Sequence, residues 1–309
     1  MQSSSFYIGG MIYENKEFNR RDKDIVRWIY NYANGKSLVV GISGGIDSSV
    51  VSTLCCRTGL PTYAVSLPLQ NSEEHTHLSQ VHGRFLQAFF SENVRHITLP
   101  LEKPFQGFQT SLETLLPNIP TSDHAFANLK SRLRMTALYA IASSTNGLVV
   151  GTGNRIEDFG VGFYTKYGDG GVDISPIADL YKSDVYRIAK ELELDLAIQE
   201  AKPSDGLHRD NRTDKDQLGY DYPTLERVMK MHERGEYPTK ELKDAYNKYA
   251  YWNTINKHKM ESIPVYKVSQ EYRIKHEIHD SCGTENCCTN DPTRNKNVYV
   301  SEEDGDVGC

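Results

Sequence analysis

The chain has no excess of basic residues, no long apolar run and few cysteines, and each absence narrows its function. Thirty-five Lys and Arg against 41 Asp and Glu give a formal net charge of −6, so the broad basic character of many nucleic-acid-binding proteins is missing. No apolar run approaches the roughly 20 residues that cross a bilayer. Six cysteines in 309 residues are too few for a disulfide scaffold.

The start of the chain also lacks the marks of a secretion signal. Residues 1–5, Met-Gln-Ser-Ser-Ser, provide neither a basic region nor an apolar core. We therefore expect a cytoplasmic enzyme that binds neither nucleic acid nor membrane. The length and the 38% hydrophobic content suit one large α/β domain with appendages.

The most informative segment is a short apolar run followed by two glycines and a helix start. Residues 38–42 predict a buried parallel strand, and Gly44 and Gly45 allow a tight turn. A helix that begins at about Asp47 would present free N–H groups and its positive dipole end, which together bind phosphate. The Asp47 carboxylate would repel a bare phosphate, so it indicates a bridging cation such as Mg²⁺.

Apolar periodicity divides the rest of the chain into alternating strands and helices. Further strands are predicted over residues 60–67, 94–99 and 147–151. Helical spacing covers residues 22–33, 73–90, 124–143, 182–193, 225–232 and 241–252, and Ser122 and Asp123 can cap the third helix. The alternation indicates a doubly wound parallel sheet flanked by helices, with ligands at the carboxyl ends of the strands.

Residues 1–21, 100–120, 202–217 and 266–309 fall outside this alternation. Residues 100–120 are interrupted by Pro104, Gly107 and Pro117, so we expect a loop-rich region there. Residues 202–217 are polar and predict a mobile loop. We expect residues 1–21 to form an arm, 22–265 a single domain with a C-terminal helical extension, and 266–309 a further extension with a flexible tail.

Several motifs resemble those of one enzyme family. The segment Ser43-Gly44-Gly45-Ile46-Asp47-Ser48 resembles the loop of the ATP pyrophosphatases, whose fold is of the adenine nucleotide alpha hydrolase type. Further segments follow in the order that ammonia-dependent NAD synthetases show: residues 132–135 (Arg-Leu-Arg-Met), 149–154, 165–173, 202–207, 216–219 and 258–259. The resemblance spans roughly residues 22–265 and implies a single ATP pyrophosphatase domain of that kind.

The resemblance implies ATP-dependent amidation of deamido-NAD (nicotinic acid adenine dinucleotide). The substrate carboxylate would attack the ATP α-phosphorus, pyrophosphate would leave, and ammonia would displace AMP to give NAD. Only 37 residues precede the first predicted strand, so we expect free ammonia and no glutaminase domain in this chain. The substrates would be deamido-NAD, ATP and ammonia, with Mg²⁺ as cofactor, and the family implies a homodimer.

The family's site residues fall on matching positions here. The ATP-binding set implied is Gly41, Ile42, Ser43, Gly44, Gly45, Ile46, Asp47, Ser48, Thr152, Lys182 and Ser204. Asp47 and Glu157 would hold Mg²⁺, and Asp47, Glu157, Lys182 and Asp169 form the implied catalytic set, with Asp169 a candidate for binding or deprotonating ammonium. The implied deamido-NAD set is Arg132, Lys166, Asp173, His258 and Lys259.

Other interpretations stay open for these residues. Asp169 and Asp173 could shape a glycine turn through side-chain-to-backbone bonds, and Glu157 could be a carboxylate at a helix N-terminus. Residues 157–166 are one longer than in many bacterial members, and the shortened segment at residues 69–74 leaves the adenine contact open.

The rival functions are another adenylating ATP pyrophosphatase, which amidates or thiolates a nucleotide or tRNA, and a non-catalytic nucleotide-binding protein. Cys55 and Cys56 lie on an apolar helix, where packing is the simpler interpretation. The tail holds His276, His279, Cys282, Cys287, Cys288 and Cys309, whose spacing fits no strong zinc pattern, so we expect reduced cysteines there.

Overall fold

The structure is a computed structural model that describes residues 7–8, 11–12, 20–70, 72–115, 122–207 and 212–269. Two short strands near the start, β1 (Tyr7–Ile8) and β2 (Met11–Ile12), pair in antiparallel fashion. The main sheet has four parallel strands: β3 (Ser37–Ile42), β4 (Thr62–Ser66), β5 (Val94–Thr98) and β6 (Gly147–Val150). Their order across the sheet is β5-β4-β3-β6.

Helices connect these strands and continue after them. The α-helices are α1 (Arg20–Ala33), α2 (Ile46–Arg57), α3 (Glu73–Phe89), α4 (Glu102–Leu115), α5 (Asp123–Ser144), α6 (Lys182–Glu191), α7 (Leu196–Glu200), α8 (Asp214–Leu218), α9 (Tyr222–Glu233) and α10 (Lys243–Met260). A π-helix spans Ile156–Val161, and a short 3₁₀-helix spans Lys240–Leu242. None of the helices in the described ranges is long and apolar enough to cross a membrane.

The alternating side chains of β3 reach two different hydrophobic layers. Leu38 and Val40 pack with α1, α2 and α6 on one face, whereas Val39 packs with α4 and α5 on the other. Burial on both faces explains why the strand is an unbroken apolar run. A further apolar cluster joins the π-helix to α9 and α10 around Tyr249. The predicted doubly wound sheet flanked by helices is confirmed.

The strand order places the glycine turn at the carboxyl edge of the sheet, where the direction of the strand order changes. The chain leaves β3 toward β4 and β5 on one side, and returns through α4 and α5 to β6 on the other. The carboxyl ends of β3 and β6 therefore flank the point where the order reverses, which is where doubly wound sheets bind ligands.

The expectation of a loop-rich region at residues 100–120 is wrong for Glu102–Leu115, which forms α4. Pro104 lies in the first turn of α4, where N–H groups have no partner within the helix, so the proline removes no helical bond. Leu101 and Phe105 are buried against the sheet, and this packing offsets the roughly 1 kcal/mol cost of Gly107 within the helix.

Other local expectations had mixed outcomes. Ser122 caps α5 as predicted, since its hydroxyl accepts a bond from the Ala125 N–H (3.1 Å). Within the predicted loop 202–217, residues from Asp214 onward form α8, which Thr213 caps. Cys55 and Cys56 are buried and unbridged. The chain divides into two units, Met1–Ser262 and Ile263–Cys309, and the histidines and cysteines of the tail lie outside the described residues.

Candidate functional site

The turn between β3 and α2 is held by its own serines. The Ser43 hydroxyl lies 2.9 Å from that of Ser48, and Ser48 Oγ accepts a bond from the Ser43 N–H (3.1 Å). Gly44 has a φ of +90°, and a Cβ there would approach the His75 carbonyl oxygen to 2.5 Å. Glycine is therefore required at this position by both conformation and space. Because Gly45 precedes α2, no side chain caps the helix at its start.

Beside this turn, one lysine binds two carboxylates. Lys182 Nζ lies 2.5 Å from Asp47 Oδ2 and 3.2 Å from Glu157 Oε1. The Lys182 side chain is only 3% exposed. Burial lowers its pKa, but the negative charges of Asp47 and Glu157 outweigh burial and raise the pKa above the usual value. Lys182 therefore stays protonated, and its ammonium lies between the two acids.

Asn154 joins the two carboxylates from the backbone side. Its amide Nδ2 donates to Asp47 Oδ1 (3.2 Å), and its Oδ1 accepts bonds from the N–H groups of Ile156 (3.1 Å) and Glu157 (3.3 Å). Asn154 is fully buried. It therefore caps the π-helix and at the same time fixes Asp47 on α2.

A tyrosine and an aspartate extend the cluster beyond Glu157. The Tyr222 hydroxyl lies 2.6 Å from Glu157 Oε1 and 2.7 Å from Asp214 Oδ2. Lys182 Nζ also lies 4.4 Å from the centre of the Tyr222 ring. Burial, reinforced by the charge of Glu157, raises the pKa of Asp214 to about 7. A third carboxyl group is therefore linked, through Tyr222, to the pair that binds Lys182.

Glu157 is carried by the π-helix at Ile156–Val161. The Glu157 carbonyl accepts bonds from the N–H groups of Gly162 and Phe163, a wider turn than in an α-helix. Helix α10 satisfies the carbonyls that follow: Asn253 donates to Gly160, Asn256 to Val161, and Lys259 to Gly162 and Tyr164, each at 2.8 Å. The wide turn is therefore fixed by side chains of α10.

A single cavity unites most of the predicted ATP-binding and catalytic residues. Its lining includes all the predicted ATP-binding residues except Gly44: Gly41, Ile42, Ser43, Gly45, Ile46, Asp47, Ser48, Thr152, Lys182 and Ser204. Glu157 and Asp169 also line it. Ser204 is held by its own loop, since its hydroxyl donates to the Arg212 carbonyl (3.1 Å).

Asp169 combines turn-shaping bonds with access to the cavity. Its Oδ1 accepts bonds from the Ser131 hydroxyl (2.5 Å) and the Thr165 N–H (3.0 Å). Burial raises its pKa, and these hydrogen bonds oppose the rise. Asp158 also lines the cavity, where burial and the charges of Glu157 and Asp169 raise its pKa to about 8.

The five residues predicted for deamido-NAD lie outside the lining of this cavity. Arg132 and Lys166 are linked, because the Arg132 guanidinium lies 3.4 Å from the Lys166 carbonyl and Lys166 Nζ donates to the His258 carbonyl (2.6 Å). Lys259 binds the two backbone carbonyls after the π-helix. Asp173 accepts bonds from the Val149 N–H (2.7 Å) and the Tyr139 hydroxyl (3.0 Å).

Besides Asp158, the site contains Asn154, Asp214, Tyr222 and Arg134, which were not predicted as site residues. Asn154 had a signal, since it lies in the short polar segment that follows a buried strand. Asp214 and Tyr222 had none, because they meet Glu157 only through the fold. Arg134 lines the cavity and donates to the Leu67 and Leu69 carbonyls (3.3 and 3.2 Å), which no spacing in the sequence foretells.

The side chains present suit Mg²⁺, which needs few protein ligands, better than a metal ion whose ligands all come from protein. Within the described ranges, no three His, Cys, Asp or Glu side chains are grouped so as to hold an ion. Magnesium typically takes one or two carboxylates and completes its shell with water and phosphate oxygens. Asp47 and Glu157, next to a phosphate-binding turn, provide such a pair.

The fold and this site together define a class of protein. A parallel sheet with a glycine turn and a helix N-terminus at its switch point, facing two acids and a buried lysine, is a nucleotide-binding α/β protein.

Comparison with known proteins gives the family. The sequence profile described as NAD synthase matches residues 19–264. An NH(3)-dependent NAD(+) synthetase from Carboxydothermus hydrogenoformans is 35% identical over 69% of this chain and 85% of its own length, and one from Thermoplasma acidophilum is 34% identical over 76% and 92%. The chain therefore belongs to the NAD synthase family.

Solved structures agree with this assignment. The NMN synthetase of Francisella tularensis superposes with a TM-score of 0.69 at 30% identity, covering 82% of this chain and 100% of that one. The NH3-dependent NAD synthetase of Campylobacter jejuni has a TM-score of 0.62 at 23% identity over the same shares, a likeness of fold.

Proposed function

We propose that this chain is an ammonia-dependent NAD synthetase that converts deamido-NAD to NAD, with cleavage of ATP to AMP and pyrophosphate. Family membership supports the reaction class. The observation that carries the proposal is the single cavity in which the Ser43–Ser48 turn, the Asp47–Lys182–Glu157 cluster and Asp169 meet.

In this proposal the Ser43–Ser48 turn and the start of α2 bind the ATP phosphates. Lys182 turns from the two acids toward the phosphates and stabilises the leaving pyrophosphate. Asp47 and Glu157 would hold Mg²⁺, which would supply positive charge beside that leaving group. Thr152 and Ser204 offer hydroxyls to ATP from the cavity wall.

The acid substrate and ammonia react at the other end of the cavity. A carboxylate oxygen of deamido-NAD bonds to the α-phosphorus and the bond to pyrophosphate breaks. Ammonia then bonds to the acyl carbon, AMP leaves, and a proton passes from nitrogen to Asp169. Arg132, Lys166, Asp173, His258 and Lys259 bind the dinucleotide in this scheme, although Asp173 and Lys259 already bind backbone groups.

An assay with the purified protein, ATP, Mg²⁺, ammonium and deamido-NAD tests the proposal. We expect AMP, pyrophosphate and NAD in equal amounts. Pyrophosphate without NAD would favour another adenylating enzyme. Nucleotide binding without AMP would favour a non-catalytic protein, and either result would overturn the proposal.

A second candidate substrate is a mononucleotide. The superposition on the Francisella tularensis protein described as an NMN synthetase favours it, because that protein is 30% identical over its whole length. The corresponding substrate here would be nicotinic acid mononucleotide, activated and amidated in the same cavity. The same assay with each acid in turn decides between them, since kcat/KM ranks the two substrates directly.

The proposal includes a cytoplasmic homodimer. The exposed Arg132 and His258 lie outside the cavity, which is consistent with a dinucleotide site that a second subunit completes. Light scattering after size exclusion should give twice the mass of one chain, and an active monomer would contradict this part of the proposal.

A further inference from the structure

Tyr222 lies between two carboxyl groups and is placed by two separate elements. Its hydroxyl is within hydrogen-bond distance of Glu157 Oε1 (2.6 Å), on the π-helix, and of Asp214 Oδ2 (2.7 Å), at the start of α8. The tyrosine itself begins α9 and is buried. One hydroxyl therefore links the first turns of three helices.

This link restrains the same Glu157 carboxylate that contacts Lys182. Glu157 Oε1 contacts both the Lys182 ammonium and the Tyr222 hydroxyl, and Glu157 Oε2 accepts a longer bond from the Asn154 N–H (3.5 Å). If Lys182 turns toward ATP phosphates, Tyr222 and Asn154 are the groups that still hold the Glu157 carboxylate in place.

Asp214 is held in turn, yet one of its oxygens has no partner. Its backbone N–H donates to the Pro203 carbonyl (3.0 Å), which ties α8 to the loop that carries Ser204. Asp214 is only 5% exposed and lines the cavity. Its Oδ1 has no hydrogen-bond partner among the described residues. A buried carboxyl with an open oxygen is costly for stability, which favours a functional reason for its presence.

We propose that Tyr222 and Asp214 are positioning residues that orient Glu157 for the metal ion, with Asp214 acting through the Tyr222 hydroxyl. This inference rests on the proposed function, in which Glu157 binds Mg²⁺. Groups that orient a metal ligand typically change metal affinity by about 10- to 100-fold when they are removed.

The experiment measures Mn²⁺ affinity by electron paramagnetic resonance, with the full chain and α,β-methylene ATP, which cannot be cleaved between these phosphates. Tyr222→Phe removes the hydroxyl and keeps the ring beside Lys182. We expect it to weaken Mn²⁺ binding about tenfold or more. The matched control is Tyr220→Phe, since Tyr220 is half-buried nearby and its ring faces Lys248 instead.

Two substitutions of Asp214 test the same role while Tyr222 stays intact. Asp214→Ala should weaken Mn²⁺ binding, whereas Asp214→Asn keeps a hydrogen-bonding partner for Tyr222 and should bind within about threefold of the wild type. These variants also serve if Tyr222→Phe fails to fold. A purely structural role would lower Tm in the variants without separating Mn²⁺ affinity from that of the Tyr220→Phe control.

The outcomes separate this inference from the proposed function. Tyr222→Phe or Asp214→Ala binding Mn²⁺ as tightly as the wild type, while the wild type forms NAD, overturns the positioning role alone. If the wild type binds no Mn²⁺ with the ATP analogue, the metal role of Glu157 and this inference are both wrong.

Discussion

Two groups of charged side chains differ sharply in how they are built. The cavity group is the buried Lys182 with the half-buried Asp47 and Glu157, and direct side-chain contacts as short as 2.5 Å hold it together. The surface group, Arg132, Lys166 and His258, is exposed or half-buried, and its links run to backbone carbonyls. Arg132 lies 3.4 Å from its carbonyl partner, a long contact for a hydrogen bond.

The difference separates a rigid part of the site from an adaptable one. Short contacts around the buried Lys182 ammonium hold the cavity group in one arrangement, as the stabilisation of phosphate charge requires. The surface group has spare donors and room to move, so it can reorganise around a carboxylate or phosphate. We therefore expect changes in the cavity group to affect catalysis and stability together, and changes in the surface group to affect substrate binding alone.

The largest effect is expected for Asp47→Asn. The change removes the charge that we propose binds Mg²⁺ and the partner of Lys182, so pyrophosphate release should fall by about a thousandfold or more. Circular dichroism should show an unchanged fold. Asp179→Asn, at an exposed aspartate that pairs with Arg155, is the matched control. Near-normal pyrophosphate release in Asp47→Asn would exclude its metal role.

Lys182→Met should strongly destabilise the free protein. Without the ammonium, Asp47 and Glu157 face each other unpaired, which typically costs about 3–5 kcal/mol. Because a divalent cation can replace the lost charge, Mg²⁺ should raise Tm more in the variant than in the wild type. An unaltered free energy of unfolding in denaturant would show that the contacts of Lys182 with Asp47 and Glu157 do not stabilise the fold.

The stability of the fold should also respond to pH through His82 on α3, which contacts the helix that carries Asp47. His82 is buried, with Nε2 3.0 Å from the Ser52 hydroxyl of α2, and burial lowers its pKa to about 4. The unfolded chain takes up this proton near pH 6.5, so stability is full above that pH and is lost as pH falls toward 4. The wild type should lose about 2 kcal/mol more than His82→Gln between pH 7.5 and 5. His77 is an exposed histidine on the same helix, and His77→Gln should lose as much stability as the wild type over this pH range.

The smallest effect is expected for Arg132→Ala on the surface group. Loss of one charged donor should raise KM for the carboxylic acid substrate about tenfold, with kcat and Tm little changed. Steady-state kinetics at saturating ATP measures this, and Arg227→Ala, at an exposed arginine of α9, is the control. A large drop in Tm for Arg132→Ala would erase the distinction between the two groups.

The parts of the site that sequence predicts are those made by neighbouring residues. The β3 strand, its glycine turn and the start of α2 follow from one continuous segment, and Ser122 marks the start of α5 by local chemistry alone. The contacts of Tyr222, Asp214 and Arg134 could not be predicted, because each joins segments far apart in the chain. Residues 102–115 were missed for a different reason: Pro104 is compatible with a helix only in its first turn, and nothing local marks Glu102 as that start.

The wide turn at Ile156–Val161 also bears on how chain length can vary in this family. A π-helical turn holds one residue more than an α-helical turn, so a single inserted residue is absorbed without displacing what precedes or follows it. Asn154 anchors the chain before the turn, and Asn253, Asn256 and Lys259 anchor the turn itself. One-residue gaps between related sequences should therefore fall between Glu157 and Gly162, a stretch where length is free while both ends keep their place.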